Sequence, residues 1–220
     1  MSPLVVALSK GRTVKALVPL LARAGIDSAA LARDAKEQDR SLVRDVGALR
    51  FLLLKPDDVP TYVEHGAADM GVCGRDVLRE RESDLLVPLD LEIGRCKMIV
   101  AAPKGAKPPS DLVRVATKYP RTAAEHFASR GVQAEIISLS GSVELAPLAG
   151  LADFIVDLVE TGETLRQNGL EVVREVATVS TVIAVNRAAY KLRRAEIVEL
   201  LERLRSALHG DPASTPNDGA

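Results

Sequence analysis

The chain has no tryptophan, and aromatic residues make up only 3% of it. A stacking surface for single-stranded nucleic acid therefore has little to be built from. The charge balance points the same way: 29 Lys and Arg stand against 30 Asp and Glu, a formal net charge of −1, whereas a nucleic-acid binder carries a basic field. Only two cysteines occur, Cys73 and Cys96. They match no zinc spacing and read as small buried apolar residues. Three histidines without a G-x-S-x-G leave a hydrolytic triad unsupported. The patterns G-x-x-x-x-G-K-[ST] and G-x-G-x-x-G are both missing, which removes the two common nucleotide fingerprints. The apolar run in MSPLVVALSKGR is too short for a signal peptide and follows no basic segment. No stretch approaches the roughly 20 apolar residues of a membrane helix, so a soluble, cytoplasmic protein is expected.

What the 220 residues do contain is ordinary globular material, 47% hydrophobic and 27% charged, enough for one large domain or two lobes. Short β-branched runs alternate with helical patterns. LVVAL precedes a helix from about Thr13, with Val14, Leu17, Val18 and Leu21 on one face, Pro19 as a bend and Gly25 as its stop. RFLLL leads into KPDDVPTYVEHG, where Asp57 or Asp58 can cap a helix that Pro60 enters in its first turn. ADMGVCG reads as a buried strand. The segment VPLDLEIGRCKMIVAAPKGAKPPSD predicts two strands and a Pro- and Gly-rich loop that carries the chain into a second lobe. In that lobe LVRVATKYP, AEIISLS and DFIVDLVE read as strands, with RTAAEHFASRG and SVELAPLAG as helices. LEVVREVATVSTVIAVN supplies strands that return the chain to the first lobe. A last helix, Arg193 to Leu208, puts Ile197, Leu200, Leu201, Leu204 and Leu208 on one face. The alternation predicts an α/β protein, with lobe I at 1–90 plus about 178–209, lobe II at about 91–177, and a disordered small-residue tail over 210–220.

In open α/β sheets ligands collect at the carboxyl ends of strands, and five such loops carry polar residues. SKGR follows the first strand: Gly11 permits close backbone approach, while Lys10 and Arg12 bring cations to a helix start, where an anion would be welcome and a solvated face is the bland alternative. The second, RSLVRDVGALRFLLLKPDD, holds Arg40 and Lys55. Arg44 and Arg50 in the same stretch read as solvated. In ATKYP, Thr117 offers a hydroxyl and Lys118 a charge. SGSVELAP offers Gly141 and Ser142 at a helix start, with Glu144 as a first-turn charge. The fifth is VETGETL, where Thr161 could simply cap a short helix with Glu163 in its first turn. That reading leaves Asp153 and Asp157 unexplained, since carboxylates in a strand fit for burial cost several kcal/mol unless paired, on the order of a lost hydrogen bond or more.

Taken in order, these pieces resemble the ATP phosphoribosyltransferase family. ELAPLAGLADFIVDLVETGETL, Glu144 to Leu165, is similar to the family's signature stretch, and DVPTYVEHGAADMGVCGRDVL, LDLEIGRCKMIVAAP and RVATKYP resemble further segments. The likeness runs from about Leu4 to Lys191. It implies a two-lobed, periplasmic-binding-protein-like (type II) α/β fold with the active site in the interlobe cleft. It also implies transfer of the 5-phosphoribosyl group of phosphoribosyl pyrophosphate to N1 of the adenine of ATP, the first step of histidine biosynthesis, with Mg2+ carried mainly by the substrate phosphates. Under that resemblance the 5-phosphate goes to the amides and hydroxyls of Thr161, Gly162, Glu163 and Thr164, and the ribose hydroxyls to Asp157 or Glu160, with Asp153 in reserve. Lys10, Gly11, Arg12, Arg40 and Lys55 meet the pyrophosphate and ATP phosphates, Arg40 and Lys55 stabilising the departing charge. Thr117, Lys118, Gly141 and Ser142 line the nucleotide side.

A single acid, Glu160, precedes Thr-Gly-x-Thr, whereas many phosphoribosyltransferases of another fold have two there. The chain resembles the family's short form, which works with a regulatory subunit related to histidyl-tRNA synthetase. That implies a hetero-octamer with the partner and a homodimer alone. A competing class is a non-catalytic bilobal module that closes on a phosphorylated small molecule. The absence of a signal-peptide pattern and the number of cationic strand-end loops weigh against it.

Overall fold

The computed structural model describes residues 2–34, 41–106 and 112–210. The chain divides into two compact units, residues 1–94 with 180–220 and residues 95–179, so the crossings fall a few residues beyond the boundaries expected from sequence. Among the described residues no helix is long and apolar enough to cross a membrane.

Unit 1 is built on a six-stranded mixed sheet. Its strands are β1 (Leu4–Ser9), β2 (Val43–Val46), β3 (Leu49–Leu54), β4 (Met70–Gly74), β5 (Leu86–Asp90) and, after the excursion into unit 2, β11 (Thr181–Val185). They lie in the order β2-β3-β1-β4-β11-β5. β1 runs parallel to both β3 and β4, while β11 is antiparallel to β4 and β5. Side chains alternate across a strand, and the core follows that period. Val6 and Leu8 point to one face, with Phe51, Leu53, Met70 and Val72, and pack against α1 (Arg12–Arg23) and α9 (Arg194–His209). Ala7, Cys73, Val182 and Ala184 take the other face, under Val59 and Val63 of α3 (Val59–Glu64). Burial, with Asp76 nearby, pushes the Cys73 thiol up to about 12, so it stays a small neutral core residue.

Two sequence expectations change here. Asp58 occupies the cap position of α3 but makes no side-chain cap hydrogen bond. Pro60 sits where a capping oxygen would look for an N–H and has none to give. Arg44, expected to be solvated, is 8% exposed: the strand period turns Arg44 and Val46 inward together, and its guanidinium donates to the Val43 carbonyl at 2.9 Å.

Unit 2 holds a five-stranded sheet of β6 (Cys96–Pro103), β7 (Val113–Thr117), β8 (Ala134–Ser138), β9 (Phe154–Val159) and β10 (Leu170–Val179), ordered β10-β6-β9-β7-β8. One face packs Met98, Val100, Val115 and Val156 against Tyr119 and against Ala123 and Phe127 of α5 (Pro120–Ala128). The other packs Ile99, Ala101, Ala116 and Ile155 against Val143, Ala146 and Leu165. Ala146 belongs to α6 (Leu145–Leu148), a single turn where SVELAPLAG suggested a longer helix. Leu165 belongs to α7 (Glu163–Gln167).

Candidate active site

Strand direction decides which loops share an end of each sheet. In unit 1 the carboxyl ends of β1 and β3 are in register at Ser9 and Leu54, and β4 ends beside them at Gly74. β11 starts at that end, Thr181 facing Gly74, and β5 finishes there, Asp90 facing Val182. In unit 2, Thr117 at the end of β7 faces Ser138 at the end of β8, and β9 ends at Val159 opposite Lys97, near the start of β6. β10 ends opposite Cys96. The chain therefore leaves and re-enters each unit at the sheet end that carries its polar loops.

At the site end of unit 1, Lys10 and Lys55 each follow directly on one of two paired parallel strands, and the Lys10 amide donates to the Leu54 carbonyl at 2.9 Å. Both side chains are exposed. Between Lys10 and Arg12, Gly11 sits at φ 78°, ψ −122°, the cap position of α1, with no side chain capping the helix and no acid in its first turn. A 12-residue helix with free amides and flanking cations at its start favours an anion. Arg40 lies outside the described residues.

The site end of unit 2 has a different character. After β9, Gly162 turns the chain through a left-handed conformation (φ 75°, ψ 7°) into α7, a geometry that costs any other L-residue energy. Gly162, rather than Thr161, is the cap residue; the Thr161 hydroxyl accepts from the Glu163 amide at a long 3.4 Å. The Glu163 carboxylate pairs with Arg166 at 2.5 Å and accepts from Gln167 at 3.0 Å, and these bonds hold it below the usual carboxylate range. Its backbone amide, not its side chain, is what the loop has to offer. Thr161, Thr164 and Glu160 are exposed. Asp157 is half-buried on β9. Burial chiefly, and then the charge of Glu144, push its carboxyl up, against a bond from the Leu158 amide at 2.8 Å and the pull of Lys118. Ser142 is held at φ 49° in the neighbouring loop, beside an exposed Gly141.

The structure separates two predicted residues from this group. Asp153 lies just before β9, at the amino end of the strand whose carboxyl end carries the loop. Its carboxylate takes the Arg114 amide at 2.8 Å and the guanidinium at 3.0 Å, and those bonds hold its pKa below the ordinary value. It stitches β9 to β7, both carboxylate oxygens being taken up by Arg114 at the opposite end of the strand from the loop. Thr117 is fully buried; its hydroxyl donates to the Val156 carbonyl at 2.6 Å and accepts from the Tyr119 amide at 2.8 Å. The donor of the hydroxyl and one of its acceptor positions are spent on the fold, leaving the half-buried Lys118 as the charged group of that loop.

Sequence reasoning set Glu144 aside as a first-turn charge, yet it is near enough to Asp157 to shift it. It also missed Arg75, which follows β4 directly at the same sheet end as Lys10 and Lys55; the position after a strand, applied to β4, would have found it. Elsewhere in unit 1 a cavity of about 300 Å³ opens among Leu4, Ile26, Val46, Leu49 and Leu200. It sits where β1 and β3 begin, the end of the sheet without the cationic loops.

Comparison with known proteins defines first the class and then the family. The periplasmic aliphatic sulphonate binding protein SsuA of Escherichia coli superimposes with a TM-score of 0.57 over 94% of this chain and 73% of its own, at 12% identity. That likeness is one of fold, a periplasmic-binding-protein-like α/β architecture. A family model, HisG: ATP phosphoribosyltransferase, matches residues 55–206. The ATP phosphoribosyltransferase of Sorangium cellulosum is 60% identical over 94% of this chain and 97% of its own length. That of Caldanaerobacter subterraneus is 47% identical over 93% and 97%. The ATP phosphoribosyl transferase (HisG:HisZ) complex of Thermotoga maritima contains a chain with a TM-score of 0.80 and 37% identity, covering 94% of this chain and all of that one. The chain belongs to the ATP phosphoribosyltransferase family and is a transferase.

Proposed function

We propose that the chain transfers the 5-phosphoribosyl group of phosphoribosyl pyrophosphate to N1 of the adenine of ATP, the opening step of histidine biosynthesis in a cytoplasmic setting. The observation that carries this reading is the end of β9. A left-handed glycine, two exposed threonines and the half-buried Asp157 stand together there, inside the stretch matched by the family model. A sugar phosphate needs both kinds of group: amides and hydroxyls for the phosphate, and carboxylates to accept hydrogen bonds from the ribose diol.

In the reaction the N1 lone pair attacks ribose C1 while the bond from C1 to the pyrophosphate oxygen breaks with its electron pair. No proton has to be removed from the nucleophile first, so no strong general base is needed. The catalytic requirements are alignment and charge. Thr161, the amides of Gly162 and Glu163, and Thr164 hold the 5-phosphate, and Asp157 with Glu160 orients the ribose. Lys55, Lys10 and the start of α1 at Gly11 and Arg12 receive the pyrophosphate, with Arg40 in the same role from outside the described residues. Lys118, Gly141 and Ser142 face the adenine nucleotide. A bound Mg2+ would add to the neutralisation of the phosphates, which would supply most of its ligands. Asp157, raised chiefly by burial and further by the charge of Glu144, and Glu144 itself are the groups of this chain that such a cation would relieve.

The Thermotoga relative is an assembly with HisZ, and this reading gives the present chain a regulatory partner of the same kind. Incubating the pure chain, alone and with that partner, with ATP, phosphoribosyl pyrophosphate and Mg2+ should raise the ultraviolet absorbance of phosphoribosyl-ATP. No product in either mixture would sink the proposal.

A further inference from the structure

Asp90 ends β5 at the site end of unit 1, four residues before the chain crosses at Gly94. Its Oδ1 accepts the Glu92 amide at 2.9 Å, on the outgoing connection. Its Oδ2 accepts the Ser180 hydroxyl at 2.6 Å, on the returning connection, and the Arg75 guanidinium at 3.3 Å, from the first residue of α4 (Arg75–Arg81). The Arg75 amide in turn donates to the Ser180 carbonyl at 2.9 Å. Backbone bonds complete the junction, Leu91 amide to Thr181 carbonyl at 2.9 Å and Thr181 amide to Ile93 carbonyl at 3.0 Å. Glu92 is held at φ 56° and Gly94 at φ 60°. A side-chain carbon added at Gly94 would meet the Thr181 hydroxyl at 3.1 Å, so the outgoing connection is pressed against the returning one. Burial raises the Asp90 carboxyl, but the bonds from Ser180, the Glu92 amide and Arg75 outweigh it and hold the group below its usual range. It is an anion at neutral pH.

One carboxylate thus gathers three things: the outgoing connection at Glu92, the returning connection at Ser180, and the guanidinium of Arg75, which opens the helix after β4 at the sheet end that carries Lys10 and Lys55. We propose that Asp90 is a positioning residue for phosphoribosyl transfer, clasping the outgoing and returning connections of unit 1 so that Arg75 and the sheet end that carries Lys10 and Lys55 are held in place. The proposal rests on the reading that the cationic sheet end of unit 1 serves phosphoribosyl transfer. A misplacement of the reacting atoms by an ångström costs rate far more than it costs binding, and that asymmetry separates positioning from plain stability.

The test compares D90A, D90N and S180A with the wild type in the complete assembly with its regulatory partner. Three quantities are read: kcat, the Kd for phosphoribosyl pyrophosphate, and hydrogen exchange of the Glu92 and Thr181 amides. D90A should exchange both amides faster and lose about tenfold in kcat, while Kd stays within about twofold. D90N, which keeps the acceptor for Glu92, should recover part of the rate. S180A, lacking a single hydroxyl, guards against a D90A that fails to fold, and should show the same pattern at about twofold to threefold. Faster exchange with an unchanged kcat, unchanged exchange, or a rate loss matched by an equal loss of binding would each overturn the proposal. A wild-type assembly that makes no phosphoribosyl-ATP would refute the functional reading instead, with the exchange data still reporting whether Asp90 clasps the crossings.

Discussion

The two units present polar loops at the carboxyl ends of parallel strands, yet with opposite chemistry. Unit 1 offers cations, Lys10, Arg12, Lys55 and Arg75, around the open start of a 12-residue helix. Unit 2 offers hydroxyls, loop amides and carboxylates around a five-residue helix. A diphosphate asks for positive charge and N–H donors, which Lys10, Lys55 and the start of α1 offer; the nearby Asp90 carboxylate is taken up by Arg75, Ser180 and the Glu92 amide. A ribose 5-phosphate asks for donors to the phosphate and acceptors for the diol within a few ångströms, and under the proposed function the acids that crowd the loop of unit 2 supply the acceptors. The contrast teaches that a strand-end loop is assigned a ligand by the balance of its donors and acceptors, while topology alone says only that some ligand belongs there.

Breaking the cationic side should have the largest effect. K55M removes a charge proposed to stabilise the departing pyrophosphate and is expected to lower kcat by about 10²-fold, with little change in the Kd for ribose 5-phosphate; an unchanged kcat removes Lys55 from the chemistry. On the other side, G162A forces a side chain into the left-handed region at φ 75°, a cost of about 1–2 kcal/mol. The KM for phosphoribosyl pyrophosphate should rise about tenfold while that for ATP holds, and equal rises in both would blur the division between the units. T117V leaves the Val156 carbonyl and the Tyr119 amide unpaired in a buried turn. It should cost about 1–3 kcal/mol in urea unfolding with both KM values retained; a selective rise in KM for ATP would restore Thr117 to the site.

The smallest effect is a pH dependence of unit 2. Asp157 has its pKa raised above the ordinary 3.8, by burial first and then by Glu144. The folded state therefore binds a proton that the unfolded state has released, and stability should fall as pH rises from about 3.8 through the raised value. Affinity for ribose 5-phosphate should climb over the same interval as the acceptor form appears. E144Q should move the carboxyl titration of Asp157 downward in NMR, and D157N should flatten both trends. A titration indifferent to E144Q would separate the two carboxylates.

Much of this was legible in the sequence because it is written locally. The runs LVVAL, RFLLL and DFIVDLVE announce their strands, the period of two sorts Val6 and Leu8 from Ala7, and the loop after β9 can be read from Thr-Gly-x-Thr. What escaped depends on partners far away in the chain. Asp153 and Asp157 look alike as two acids spaced by four, and only the direction of β9 and a guanidinium 39 residues distant separate the stitch from the acid proposed to meet the ribose. The Thr117 hydroxyl looked available because the carbonyl that claims it is likewise 39 residues away. Asp90 and Ser180 are brought together across 90 residues, and neither stands in a motif. The masking of Arg44 by strand alternation is the one miss that a stricter use of the period would have avoided.

The division between the units can be measured directly by following backbone amide shifts of the isotopically labelled assembly during separate titrations with ribose 5-phosphate and with magnesium pyrophosphate. The account predicts that ribose 5-phosphate moves the amides of Thr161 to Leu165 and leaves Lys10 to Thr13 in place, and that pyrophosphate does the reverse. Ribose 5-phosphate shifting the start of α1, or both ligands acting on the same sheet end, would contradict it.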